Sequence, residues 1–174
     1  MACCDRVFHL AAGVGVRLVA EHPVRVLDSN LSGTMTVLRA CADHGRPVLL
    51  ASTSEVYGKT CASPLKEESD LILGPSTSPR WSYACSKAAC EFLAHAHRAE
   101  HGLAAVVVRL FNTAGPRQTG RYGMVIPRFV GQALAGLPIT VFGSGDQTRC
   151  FCHVHDIAED LCNFTFAIAH VLLP

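Results

Sequence analysis

Tyr83 and Lys87 stand four residues apart, in a stretch continued by Ala84, Ala88, Ala89 and Phe92, a helical context. Positions i and i+4 share one helix face, so this spacing brings the phenol and the ammonium together. A phenol titrates near pH ~10 and is a poor base at neutrality, and a cation held beside it favours the phenolate. Such a pair can take the proton of an alcohol or sugar hydroxyl while a hydride leaves the same carbon. On its own the pair is weak, since most Tyr-x-x-x-Lys spacings on helices are surface decoration. Thr53 adds a hydroxyl donor just past a strand end, although Ser52, Thr53 and Ser54 taken alone read as capping or turn residues. Glu55 is a solvent-facing charge or a site acid.

The elements that must position these groups follow from periodicity. Residues 6–10 form a short apolar run that enters a loop at Ala11, Ala12 and Gly13, and they read as a buried strand. Pro23 suits the first turn of a helix, and Val24, Leu27, Leu31, Met35, Leu38 and Cys41 recur at helical spacing to about Asp43. His44 and Gly45 supply its stop. Residues 48–52 read as a second strand, apolar without alternation, as expected where both faces are covered. A loop bearing Pro and Gly spans residues 58–79. The helix of Tyr83 ends near His101 and Gly102, and residues 104–110 make a third strand. Strand, helix, strand, helix, strand at this spacing predicts an α/β fold with a parallel sheet, whose ligands gather at the carboxyl ends of the strands. Beyond Pro116, residues 127–135 read as an amphipathic helix, 139–142 as a short strand, 143–145 as a turn, and Ile157 onward as another helix.

Composition bounds the rest. The chain has 174 residues, 49% hydrophobic and 17% charged, which fits a globular fold with a real core. A net charge of +1 shows no basic stripe and gives no push toward nucleic acid or membrane. No basic segment followed by a long apolar run opens the chain, and the apolar run 164–173 is too short to span a bilayer. The nine cysteines are scattered, which reads as reduced, mostly buried thiols in a cytoplasmic protein.

Three other clusters weigh less. Gly13-Val-Gly15-Val-Arg-Leu18 lacks the third glycine of a nucleotide fingerprint, and Gly143-Ser-Gly145 fails likewise. Cys150, Cys152, His153, His155 and Asp156 alternate as a strand does and are not spaced as a structural zinc site, so no metal is expected. Arg149 suits bidentate phosphate binding, with Arg117, Arg121 and Arg128 as weaker candidates.

Taken together, these residues resemble the extended short-chain dehydrogenase/reductase family, in its NAD-dependent nucleotide-sugar epimerase/dehydratase branch. The likeness is carried, in order, by residues 7–12, 30–34, 52–58, Tyr83 with Lys87, residues 109–112 with 115–117, and Arg149 with His153 and Asp156. It implies a partial Rossmann-like doubly wound sheet over residues 1–115 and a partial nucleotide-sugar-binding segment over 116–174. By the same resemblance Tyr83 is the base on the sugar C4 hydroxyl, Lys87 holds the nicotinamide ribose and lowers the Tyr83 pKa, and Thr53 bonds O4, with Ser54 and Glu55 beside them. Ala11, Ala12, Asn30 and Ser52 line the NAD cofactor, while Asn112 and Arg149 hold the substrate diphosphate. The implied partner is a nucleotide sugar, with UDP as the base carrier, and the implied assembly is a homodimer.

The 4-keto sugar so formed has three fates. Thr53-Ser54-Glu55 lacks the acid that dehydratases place after the threonine, which disfavours 4,6-dehydration. The same triplet, with Pro79-Arg80-Trp81, resembles UDP-glucuronate decarboxylases, and epimerases carry a similar pattern; 4-epimerisation of a UDP-glucose-type sugar is placed slightly ahead. Relatives open with a strand, a Gly-x-x-Gly-x-x-Gly loop and two further strands before the segment that opens this chain, and they extend further at the other end. The expectation is a truncated enzyme with an open sheet edge and weak or no activity, or a non-catalytic interaction remnant.

Overall fold

The computed structural model describes residues 3–60 and 64–171, with side chains through residue 163. The middle of the loop at 58–79 and the apolar run 164–173 therefore lie partly outside the described residues. Three parallel strands, β1 (Val7–His9), β2 (Val48–Thr53) and β3 (Ala105–Leu110), form one sheet in the order β1-β2-β3. His9 lies opposite Leu50, and Ser52 and Thr53 lie opposite Arg109 and Leu110. Their carboxyl ends share one rim, as the strand–helix alternation predicts.

Between β1 and β2 run a short helix α1 (Val16–Glu21) and the long α2 (Pro23–Asp43); α3 (Trp81–His101) joins β2 to β3. Pro23 sits in the first turn of α2, and Gly45, just past its end, takes the left-handed φ of 59°. Gly102 closes α3 at φ 64°, with its N–H on the Arg98 carbonyl. Periodicity gives no sign of α1, which is too short to show a face; an exposed Arg17–Glu21 pair at i,i+4 and the buried Val19 accompany it.

Helices α2 and α3 pack against each other and onto one face of the sheet. Leu38 and Cys41 from α2, Cys90 and Ala94 from α3, and Val48, Leu50 and Ala105 from the strands form a single core. Side chains of a strand alternate between faces, and Ser52 and Arg109 point to the helices, where both reach Glu91.

The second half departs from the expected order. A two-stranded parallel pair, β4 (Asn112–Ala114) and β5 (Phe151–His153), ties the start of this segment to its end. Between them lies α4 (Val125–Leu134), and α5 (Val154–Val171) follows directly, starting before Ile157. Residues 139–142 are not a strand. Gln132 on α4 exchanges two hydrogen bonds with Thr140, at 2.8 and 3.2 Å, and Arg128 donates to the Thr140 carbonyl, so side chains of a helix hold this segment where a ladder was expected. The thiols also differ from expectation: of the eight described cysteines, only Cys41 and Cys90 are buried. The scattered spacing of thiols carries no information about depth.

Candidate active site

The rim residues are assembled from two elements. β2 delivers Thr53 at its last position, and the chain turns at once into a single 3₁₀ turn, Ser54–Tyr57. The Thr53 hydroxyl accepts the Glu55 N–H at 3.2 Å and so caps that turn, while it also hydrogen-bonds the Tyr83 phenol. Capping and donation, set against each other by sequence alone, are both made by one hydroxyl: an oxygen lone pair takes the cap and the proton is directed to the phenol oxygen. Tyr83 lies in the first turn of α3, half-buried, and Lys87 one turn on is 3% exposed.

Burial pushes the Tyr83 phenol above its usual value; the Thr53 hydrogen bond opposes this, and the Glu55 carboxylate adds to it. This corrects the expectation of a phenol lowered by Lys87, because losing water costs the phenolate more than the local dipoles return. The Lys87 ammonium is itself pushed down by burial, with Cys90 and Glu91 drawing it back. The ion pairs between described side chains are Arg17–Glu21 and Arg109–Glu91, so Lys87 closes none with a carboxylate there. A buried cation beside a phenol and a hydroxyl is a donor set that fits the hydroxyls of a ribose or sugar.

The loop after β1 is held from α2. Asn30, 3% exposed, accepts the Gly13 N–H at 2.7 Å, donates to the Gly13 carbonyl at 3.4 Å, and donates to Ser86 of α3 at 3.1 Å. Asn30 thus brackets the loop that presents Ala11 and Ala12 at the rim, and its amide is used within the fold. Ser52 is likewise committed elsewhere: its hydroxyl donates to Glu91 on the helical face of the sheet. Ser54 is half-buried and Glu55 exposed beside the rim.

Pairing of β4 with β5 sets Asn112 opposite Phe151, and the Asn112 amide donates to the Cys150 carbonyl at 2.9 Å. Arg149, next in the chain to Cys150, is exposed, with its guanidinium on the Thr148 carbonyl at 2.7 Å. The rings of His153 and His155 meet edge to face at 4.8 Å, and among the described residues no three His, Cys, Asp or Glu side chains converge as a ligand set. No described helix is long and apolar enough to cross a membrane.

One pairing escaped the sequence reading. The buried Glu91 and the half-buried Arg109 form a fork, and the usable signal was a lone charge closing the apolar run Val106, Val107, Val108. A charge on the covered face of a strand needs a partner.

The sequence profile of the NAD dependent epimerase/dehydratase family matches residues 1–166. A UDP-N-acetyl-alpha-D-glucosaminuronate decarboxylase from Bacillus cytotoxicus is 44% identical over 156 residues, covering 89% of this chain and 48% of that protein. A UDP-glucuronate 4-epimerase from Thermodesulfobacterium geofontis is 39% identical, covering 88% and 45%. Among solved structures, the UDP-glucuronic acid 4-epimerase of Bacillus cereus, in complex with UDP-glucuronic acid and NAD, superposes with a TM-score of 0.80 at 31% identity, covering 91% of this chain and 48% of that one. The chain thus spans about half the length of the relatives it matches. With a Rossmann-like parallel sheet, a rim-facing Thr–Tyr–Lys group and a profile match over nearly its full length, the chain belongs to the NAD dependent epimerase/dehydratase family.

Proposed function

We propose that this chain carries the catalytic residues of an NAD-dependent nucleotide-sugar enzyme that oxidises C4 of a UDP-uronate, with 4-epimerisation as the outcome. The observation that carries the reading is the gathering of the Thr53 hydroxyl, the half-buried Tyr83 and the buried Lys87 one turn on, at the end of a parallel sheet where the Thr53 hydroxyl favours the phenolate. The three relatives described above all act on, or bind, UDP-uronates, which supports the substrate class.

In this reading Tyr83, as phenolate, takes the O4 proton, and the Thr53 hydroxyl, turned from the phenol to the sugar, orients O4. Lys87 holds ribose hydroxyls of the cofactor and balances the charge on the phenolate. Ala11 and Ala12, small at the rim, leave room for the nicotinamide half. NAD, when bound, would supply the reversible acceptor of the C4 hydride, whose delivery to the opposite face of the sugar would make the epimer. Tyr83 would give its proton back to O4. Asn112 and Arg149 would hold the substrate diphosphate, a role that an exposed guanidinium suits. Decarboxylation is the second reading, favoured by the 44% identity to a uronate decarboxylase: a C4 ketone is β to the C6 carboxylate, and CO₂ leaves readily from such an acid.

The test is incubation of the chain with NAD⁺ and UDP-glucuronate, with separation of the nucleotide products. UDP-galacturonate is expected, and Tyr83→Phe is expected to lower its formation about 100-fold or more. A pentose product with CO₂ replaces epimerisation by decarboxylation. Unchanged turnover in Tyr83→Phe, or no calorimetric binding of NAD⁺ by the folded chain, overturns the reading.

A further inference from the structure

Glu91 lies one helical turn beyond Lys87 on α3 and is 4% exposed. Its carboxylate takes donors from both neighbouring strands. Ser52 donates from β2, and Arg109 donates from β3 with Nε at 3.1 and 3.2 Å and a terminal nitrogen at 2.8 Å. Ser52 and Arg109 are register partners, so the carboxylate sits over a single rung of the sheet. Arg109 is itself held, over the Tyr57 ring at 4.7 Å and on the Glu67 carbonyl at 3.0 Å. One buried group therefore joins β2, β3, α3, the turn after β2 and the loop before α3.

Thr53 immediately follows Ser52, and Tyr83 lies on the same helix as Glu91, about 12 Å along its axis. Apolar packing alone lets a helix slide or rotate on a sheet. A carboxylate with three directional donors fixes both its height and its rotation. A buried ion pair is poor evidence for stability, since an apolar pair of like size can pack as well, which leaves placement as its physical use.

We propose that Glu91 is a positioning residue that, by clamping Ser52 and Arg109 to α3, sets the Thr53 hydroxyl against the Tyr83 phenol. This rests on the reading of Thr53 and Tyr83 as a reacting pair, yet its readout needs neither substrate nor turnover, so failure of one is distinguishable from failure of the other.

The experiment is an NMR pH titration of the 174-residue chain labelled with ¹³C in its tyrosine rings, the Tyr83 signal being assigned by its loss in Tyr83→Phe. In Glu91→Gln, loss of the Thr53 hydrogen bond is expected to raise the Tyr83 midpoint by about half to one pH unit. Glu55, the carboxylate that acts on the phenol, and Lys87, one helical turn on from it, are unaltered in that variant. Removing a negative charge without moving Thr53 would lower the midpoint, so the two roles have opposite signs. In a Thr53→Val background the Glu91→Gln shift is expected to vanish. A fall or no change in folded Glu91→Gln, or a shift that persists with Val at position 53, overturns the proposal. If Glu91→Gln does not fold by circular dichroism, Arg109→Lys, which keeps the charge and loses the fork, is expected to give the same rise. Failure of both to fold makes the clamp a general stabiliser and overturns the positional role.

Discussion

His9 closes β1 with its ring against Thr34 at 3.0 Å, inside a buried group that includes the Cys90 thiol. Burial, and then the Lys87 ammonium, push its pKa below the ordinary 6.5. The folded state therefore holds fewer protons than the unfolded one as the pH falls below about 6.5. The stability contributed is whole above that pH and is lost as the pH falls through the lowered folded value. His9→Gln is expected to flatten the slope of urea midpoint against pH between about 5 and 7.5. An unchanged slope would place the acid sensitivity elsewhere. Tyr83 illustrates the same balance in reverse, since its burial outweighs the Thr53 hydroxyl and leaves the phenol above its usual value. A phenolate at neutral pH then requires stabilisation that the chain's own dipoles do not fully supply.

At the level of elements, two glycines separate backbone conformation from space. Gly45, past the end of α2, has φ 59° and open space where a Cβ would stand. Gly58, after the turn that follows Thr53, has φ 66°, and a Cβ there would lie 2.1 Å from the Ile72 carbonyl oxygen. Gly45→Ala is expected to cost about 1 kcal/mol, the left-handed penalty alone. Gly58→Ala is expected to cost about 3 kcal/mol or more, because the Lys59 N–H bond to Ile72 at 2.7 Å must also break. Chemical denaturation of both variants checks the ordering, and equal losses would mean that the segment around Ile72 gives way easily. The consequence reaches the site, because this segment carries Glu67, one of the holds on Arg109.

Across the whole molecule, burial is uneven. The core belongs to α2, α3 and the three-stranded sheet, whereas α4 has no buried residue and residues 133–150 are exposed. Local opening follows buried apolar contact, so amide exchange is expected to divide the chain. Amides of β2 and of the middle of α3 are expected to exchange about a hundredfold or more slower than those of α4 and the β4–β5 pair. Uniform protection would mean that the second half is held by contacts beyond those described. The proposed diphosphate residues lie in the weaker half and the proton-transfer residues in the stronger. A nucleotide sugar bound between them would therefore protect α4 far more than α3.

The sequence by itself determined what depends on near neighbours. Helical spacing and the stops at Gly45 and Gly102 marked α2 and α3, unbroken apolar runs marked β1 to β3, and the four-residue interval placed Tyr83 and Lys87 on one face. Tertiary structure alone decided what depends on partners far along the chain. Ser52 meets Glu91 across 39 residues, Asn30 meets Ser86 across 56, and Asn112 meets the Cys150 carbonyl across 38. Those contacts turned Ser52 and Asn30 into internal braces, made β4 and β5 a pair, and left residues 139–142 without a ladder. Depth was decided there as well, and with it the direction of the Tyr83 and Lys87 shifts, because the loss of water around a group is set by the whole fold and by no local pattern of residues.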